Sequence, residues 1–375
     1  MKKLVLRIFQ FKRMYILVLL PLSFVLVALA RLDNRWVEHF FVRFIYKPLS
    51  AAVGTLTSLL PFSVTELLAA VVLGLLVFYI VRVIIGIVKN PESIKHRLYK
   101  LFINALCAVS VALFAFQICM GLNYYRFEAS HYLGLSVRES SVEELYELTK
   151  SLADDINYYR ERLEEDENGV SVLSDKNRYE TSKSAREAYR SLSDKYSFLK
   201  AADIRNKPLV TSKLFSAVMT TGIYIPYTFE SNINVDVPEF SIPATMCHEL
   251  THFRGFMREN EANFLGYLAC MESPRDDFKY SGAMMAFSYC YPQLSKADKE
   301  LASLVAQNVS DGVMRDLVFE DEYWEPYRKT VTADISNKVY DSYLNANNQQ
   351  SGMKSYGEMV DLLLAYRRTL GAENK

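Results

Sequence analysis

The sequence predicts a mainly α protein: three N-terminal transmembrane helices followed by a helix-rich α+β domain with a small sheet. Three observations predict it. Apolar residues make up 50% of the 375 positions and crowd into the first third, where three stretches approach or exceed the roughly 20 residues a helix needs to cross a bilayer. Beyond them, apolar positions recur at helical spacing within polar surroundings. One segment only, residues 215–237, gathers β-formers between glycine and proline.

The spans run from about Met14 to Ala30, from about Val64 to Val88 and from about Leu101 to Leu122. The first has a basic start and ends Val27-Ala28-Leu29-Ala30, as a cleaved secretory leader does, but the length of its apolar block and the spans behind it favour a retained anchor. Lys2, Lys3, Arg7, Lys12 and Arg13 precede it with no acid among them, and Lys89, Lys95, Arg97 and Lys100 crowd the loop between the second and third spans. Both groups are expected on the cytoplasmic side. The chain then divides into a membrane domain, residues 1–122, and an extracytoplasmic domain, residues 123–375, in a multi-pass protein of the cell membrane. The apolar stretch from Pro48 to Phe62 is short for a crossing and carries proline near both ends, so it reads as interfacial. If it crossed, the C-terminal domain would be cytoplasmic.

Charge removes one class of partner. The 43 basic residues equal the 43 acidic ones, and the outer domain has no basic face interleaved with aromatics, which excludes nucleic acid. Cys107 and Cys119 fall in the third span, and Cys247, Cys270 and Cys290 remain outside. An odd number excludes a fully paired framework, although Cys270 and Cys290 can bridge.

In the outer domain, Ser141-Val142-Glu143-Glu144 has the form of a capping box, and Leu145, Leu148, Leu152 and Ile156 continue at helical spacing to about Leu163. A polar loop from Glu164 to Lys183 precedes a second helix, from about Ser184 to Leu199. Ile223, Tyr224, Ile225, Tyr227, Thr228 and Phe229 read as strand, and Pro226 suits an edge strand. Such an edge can hold an extended peptide as an added strand. Ser241 and Pro243 mark the start of a helix over Ala244–Phe253 that Gly255 ends. Further helices are expected over Phe264–Met271 and Gly282–Cys290, and from Tyr323 to Leu370 around a polar turn at Asn345–Ser351.

The chemistry concentrates in His248-Glu249-Leu250-Thr251-His252. With five histidines in the chain, an HExxH pentapeptide is expected by chance roughly 0.004 times, so the motif carries weight. Four residues apart on a helix, both imidazoles face one ion while Glu249 stands beside it as proton carrier. His131, far upstream, is the outer domain's other histidine, so a third ligand must be a carboxylate. Glu259 and Glu261 compete for that place. Gly255 lets the chain turn back so that Glu259, at the head of the next helix, approaches the ion and leaves a fourth position to water. Asn263, one turn below Glu259, would orient a ligand. Cys247 adjoins His248 but points about 100° away on a helix, which suits a buried thiol better than a fourth ligand. An oxyanion donor is also required, for which Tyr343, Tyr356 and His131 are candidates among 25 tyrosines and five histidines.

The run Glu259-Asn260-Glu261-Ala262-Asn263 resembles the Glu-x-x-Ala-Asp/Asn pattern of gluzincin peptidases. That resemblance implies Glu259 as the zinc ligand, Asn263 behind it and a zincin-like fold. The connector between His252 and Glu259 is shorter than in most gluzincins, and Arg258 stands where metzincins would have their third histidine. More specifically, the three spans, Gly121-Leu122-Asn123-Tyr124-Tyr125-Arg126, residues 222–237, residues 248–269 and residues 340–364 together resemble the bacterial domain-of-unknown-function 3810 family. That family comprises membrane-bound HExxH proteins, so the resemblance implies the topology and the metal site without naming a substrate. The expectation is a membrane-anchored zinc metallopeptidase that hydrolyses peptide bonds with Glu249 as general base. The alternative is an inactive metal-binding receptor or anchor, which would not need Glu249. An intramembrane protease is disfavoured because residues 248–261 carry too many charged groups for a lipid-exposed span.

Overall fold

A computed structural model describes residues 12–175, 177–347, 349 and 356–373. The basic residues Lys2, Lys3 and Arg7, parts of the turn expected at Asn345–Ser351, and the side chain of Tyr356 lie outside the described residues. The described residues are 75% helical with one three-stranded sheet, as the sequence predicts.

Helices α1 (Leu19–Leu32), α2 (Lys47–Ser58), α3 (Val64–Lys89) and α4 (Ile94–Cys119) make up the N-terminal third. Lys12–Leu32, Val64–Lys89 and Pro91–Cys119 are long and apolar enough to cross a membrane. Ser63 caps α3 by accepting the Glu66 N–H at 3.2 Å. The third span departs from expectation at both ends. Its helix resumes at Ile94, which takes Lys95, Arg97 and Lys100 out of the loop and into the first turns, and it stops at Cys119. Gly121–Tyr125 instead tightens into a buried 3₁₀ turn.

The stretch from Pro48 to Phe62 forms α2 and the turn after it, with Ser50, Gly54 and Thr57 buried and Leu56, Leu59, Leu60 and Phe62 exposed. Residues 37–46 coil as a π-helix that runs straight into α2. Val37, Phe41, Val42 and Tyr46 are buried in the same hydrophobic core as Leu250, Phe253, Phe264 and Leu265 of the C-terminal part. Gly54 of α2 faces Phe253 so closely that an added Cβ would lie 2.7 Å from its ring. This core therefore spans the boundary expected at residues 122 and 123.

Beyond the spans, α5 (Val142–Arg160) starts at the capping box: Glu144 N–H donates to Ser141 Oγ at 3.2 Å, and Ser141 N–H donates to the Glu144 carboxylate at 3.0 Å. Helix α6 (Arg178–Lys195) starts six residues before the expected position, because Asn177 caps it through the Tyr179 N–H at 2.9 Å. Strands β1 (Lys207–Pro208), β2 (Gly222–Ile225) and β3 (Glu230–Ile233) form a sheet in the order β1-β3-β2. β1 runs parallel to β3 with Lys207 opposite Asn232, and β2 runs antiparallel with Gly222 opposite Ile233 and Ile225 opposite Glu230. β2 is thus an edge strand. Pro226 sits in the turn after it, where no ladder hydrogen bond is forfeited.

Helices α7 (Ile242–Phe253), α8 (Glu259–Met271), α9 (Asp276–Ala297), α10 (Lys299–Gln307), α11 (Asp311–Arg328), α12 (Val331–Ala346) and α13 (Tyr356–Glu373) complete the fold. All five cysteines are free, so Cys270 and Cys290 do not bridge. Cys270 instead meets the thiol of Cys247, and Gly282 of α9 closes over it, with room for no Cβ.

Candidate metal centre

Local sequence sets the two helices that build the centre. Pro243 stands in the first turn of α7. Ser241 is not its cap, because its hydroxyl donates to the Pro238 carbonyl at 2.8 Å. The Ala244 N–H is satisfied by Ser281 of α9 instead, at 2.9 Å. At the other end Gly255 adopts φ 86°, a left-handed turn that glycine enters without a steric cost. A Cβ there would also lie 2.8 Å from the Arg126 guanidinium. The chain turns back, and α8 packs across α7 so closely that a Cβ on Gly266 would lie 3.1 Å from the backbone N of His248.

This packing brings His248, His252 and Glu259 together. His248 Nε2 lies 3.3 Å from one Glu259 oxygen, and His252 Nε2 lies 3.6 Å from the other. The three ligand atoms all fall within 4.8 Å of one another. Two donors at a tetrahedral zinc, each about 2.1 Å from the ion, stand about 3.4 Å apart. Donor chemistry and spacing therefore fit zinc. The far nitrogens are engaged: His248 Nδ1 pairs with Asn263 Oδ1 at 2.7 Å and His252 Nδ1 with the Phe256 carbonyl at 2.9 Å. As Nδ1–H donors, both rings turn Nε2 toward Glu259, the usual outer-shell arrangement of a metal-binding histidine. Asn263 is itself held by the Tyr289 hydroxyl, which accepts from its Nδ2 at 3.2 Å.

Glu249 lies beside this cluster, 4% exposed. Its Oε2 has no hydrogen-bond partner among the described residues, an exposed need in a buried carboxylate that a reacting molecule would meet. The Tyr224 N–H of edge strand β2 bonds to the same carboxylate. Gly222 allows this approach, since a Cβ there would lie 2.8 Å from Glu249 Oε1.

Charge is unevenly spread over the four groups. Burial disfavours charge on Glu259, but the His248 hydrogen bond and the two imidazoles outweigh it and hold the carboxyl down at about 2. Burial likewise opposes protonation of His248, and the bonded Glu259 overcomes it, raising the ring to about 9. For His252 burial prevails and the ring falls to about 4. Burial pushes Glu249 up to about 8, against the pull of His248. The His248–Glu259 ion pair thus stands in for the charge balance that a cation would give the cluster.

The other residues singled out in the sequence go elsewhere. Glu261 accepts the Ala129 N–H at 2.7 Å and pairs with Arg258 at 3.2 Å, outside the cluster. Tyr343 accepts from the Tyr124 hydroxyl at 3.1 Å and meets Met120 Sδ at 3.3 Å. His131 is exposed and packs on Phe127 at 4.7 Å between centroids. Cys247 is fully buried on another face of α7. Two residues that the sequence did not single out do reach the centre. Tyr340 of α12 hydrogen-bonds Glu259. Tyr46 donates to the carbonyls of His252 and Phe253 at 3.2 and 3.1 Å and meets the Tyr224 hydroxyl. Their signal lay only in tertiary packing.

Residues 41–364 match the model of a family described as a protein of unknown function, DUF3810. The chain belongs to that family. The match takes in all elements of the candidate centre, Tyr46 and Tyr340 included. No curated protein and no solved structure matches the chain.

Proposed function

We propose that the protein is a membrane-anchored zinc-dependent metallopeptidase. The observation that carries this reading is the convergence of His248, His252 and Glu259 beside a buried Glu249 whose Oε2 has no partner among the described residues. Zinc held there would supply Lewis-acid chemistry, polarising a carbonyl and acidifying water. Glu249 accepts the proton of the attacking water and returns it to the leaving amine. An extended peptide would lie along the outer edge of β2, beside Glu249, as an added strand, using ladder groups other than the Tyr224 N–H, which Glu249 already takes. Tyr340 keeps Glu259 in place, and Asn263 and the Phe256 carbonyl hold the two imidazoles.

The shared core supports the topology as well. Residues 37–58 pack with α7 and α8, so they belong on the same side of the membrane as residues 123–375, and three spans rather than four separate that side from the N-terminus. Lys12 and Arg13, with Lys89 to Lys100, favour a cytoplasmic N-terminus and an extracytoplasmic centre.

The test is metal analysis and peptide-library cleavage by the purified full-length protein with its Glu249→Gln and Glu259→Ala variants. Glu249→Gln is expected to keep zinc and lose turnover by 10²-fold or more, and Glu259→Ala to lose zinc. Stoichiometric zinc without cleavage of any peptide would favour an inactive metal-binding receptor.

A further inference from the structure

Resting on the peptidase reading, we infer that the substrate is a polypeptide tethered to the same membrane by its own apolar anchor and cut within a few residues of the bilayer. Three contacts place one face of the catalytic part at or below the outer ends of the spans. The Tyr227 hydroxyl, in the turn after β2, donates to the carbonyl of Ala112 at 3.2 Å. Ala112 lies seven residues before the end of α4, roughly 10 Å inward along the helix. Glu66, in the first turn of α3, accepts the N–H groups of Val210 and Thr211 at 3.0 and 2.9 Å. Tyr343 packs on the Phe116 ring, 6.2 Å between centroids, and on Met120 where α4 ends.

Large apolar residues are left bare on this face, beside the exposed Lys213, Lys338 and Ser342. Val210 is 89% exposed and Leu214 67%, at the level of Glu66, and Val331, Ile335 and Val339 stand open along one side of α12. A helix with such a stripe that packs against the outer end of an apolar span lies in the headgroup region, so lipid covers it. The opposite side of the same helix carries Tyr340, which bonds Glu259. A helix is about 10 Å across, so Tyr340 stands about that far from the lipid-covered stripe. The cleavage position then stands about 10 Å from the bilayer, which an extended chain covers in roughly three residues. A folded soluble protein cannot bring its backbone there, whereas a tethered chain is delivered to it and kept at high effective concentration.

The experiment uses the full-length protein in liposomes with a degenerate peptide library fused to a transmembrane anchor through spacers of about 3, 8 and 30 residues, beside the same library unanchored. Cleavage at least tenfold faster at the two short spacers than at the long one is expected. Equal rates at all spacers, or faster cleavage at the long one, would overturn the proposal and leave the peptidase reading standing. Cleavage of neither library would overturn both. As an independent readout, Ile335→Trp is expected to be quenched by lipids brominated near the headgroup beyond the quenching of Trp36 and Trp324. The absence of added quenching would overturn the lipid-covered face.

Discussion

His248 shows how little freedom the centre leaves a single side chain, with one ring nitrogen on Asn263 and the other on Glu259. Asn263→Ala unties the first and lets the ring swing, so zinc affinity should fall by about 10- to 100-fold while the fold persists. Chelator competition on the purified protein measures it, and an unchanged affinity would remove Asn263 from the centre. Gly222→Ala works from the opposite wall, pressing a methyl against Glu249 and Thr245. Zinc content should hold and turnover should drop about tenfold or more, since a displacement near 1 Å costs that much in rate. What was legible at this scale was what is local in the chain. His248, Glu249, His252, Glu259 and Asn263 lie within 16 consecutive positions, where helical geometry dictates proximity. Tyr340 comes 81 positions after Glu259 and is one of 25 tyrosines, so only packing could select it over Tyr343. Glu261 stays outside the cluster, its carboxylate engaged by Ala129 and Arg258.

Between elements, the centre depends on the closeness of α7 and α8, which Gly266 permits. Gly266→Val would push branched carbons into the His248 backbone, where no flexible side chain can yield. A cost of about 1–3 kcal/mol in stability is expected, with weaker zinc binding, read by thermal unfolding with and without the metal. A second joint is visible where Arg368 of α13 reaches the capping box of α5, its Nε 2.7 Å from Glu144. That bond, with the Ser141 N–H, pulls the Glu144 carboxyl from its usual 4.5 to about 2. The group is depressed in the folded state, so its contribution is present above pH 4.5 and is lost as pH falls from 4.5 toward 2. Hydrogen exchange in residues 356–373 should therefore quicken over that window, and Glu144→Gln should abolish the added pH dependence. The capping box itself was readable because its residues are adjacent in sequence. The start of α6 was not, since Asn177 sits in a run of turn-forming residues that conceals its role as cap. The free Cys270 was equally hidden, because spacing cannot tell that Cys247, not Cys290, would be its neighbour.

For the whole molecule, the segment between the first two spans and the C-terminal part are a single folded object. Composition could not show this, because an apolar stretch such as 37–53 has the same sequence whether it faces lipid or a protein core. In the structure Lys207 Nζ donates to the Thr57 carbonyl at 2.7 Å and pairs with Glu230. Glu230 in turn accepts the N–H groups of Val64 and Thr65 at 3.1 and 2.7 Å, at the head of α3. Both charges of the pair are 1% exposed, so Lys207→Met, which strands a buried carboxylate, should cost about 3–5 kcal/mol. The same architecture predicts the fate of a shortened chain. Residues 123–375 alone lack Val37, Phe41, Val42 and Tyr46, all at most 2% exposed. At about 1.5–3 kcal/mol for each buried side chain, the loss is roughly 6–12 kcal/mol, comparable to the entire stability of about 5–15 kcal/mol of an ordinary domain. It also removes Tyr46 from the His252 carbonyl. The truncated protein should therefore be protease-sensitive and bind no zinc, while a chain that begins at residue 33 and keeps α2 joined to α3 and α4 should resist digestion and bind it. Limited proteolysis and metal analysis of the two, side by side in detergent, decide the matter, and a stable zinc-binding 123–375 fragment would show that the C-terminal part folds without the segment between the first two spans.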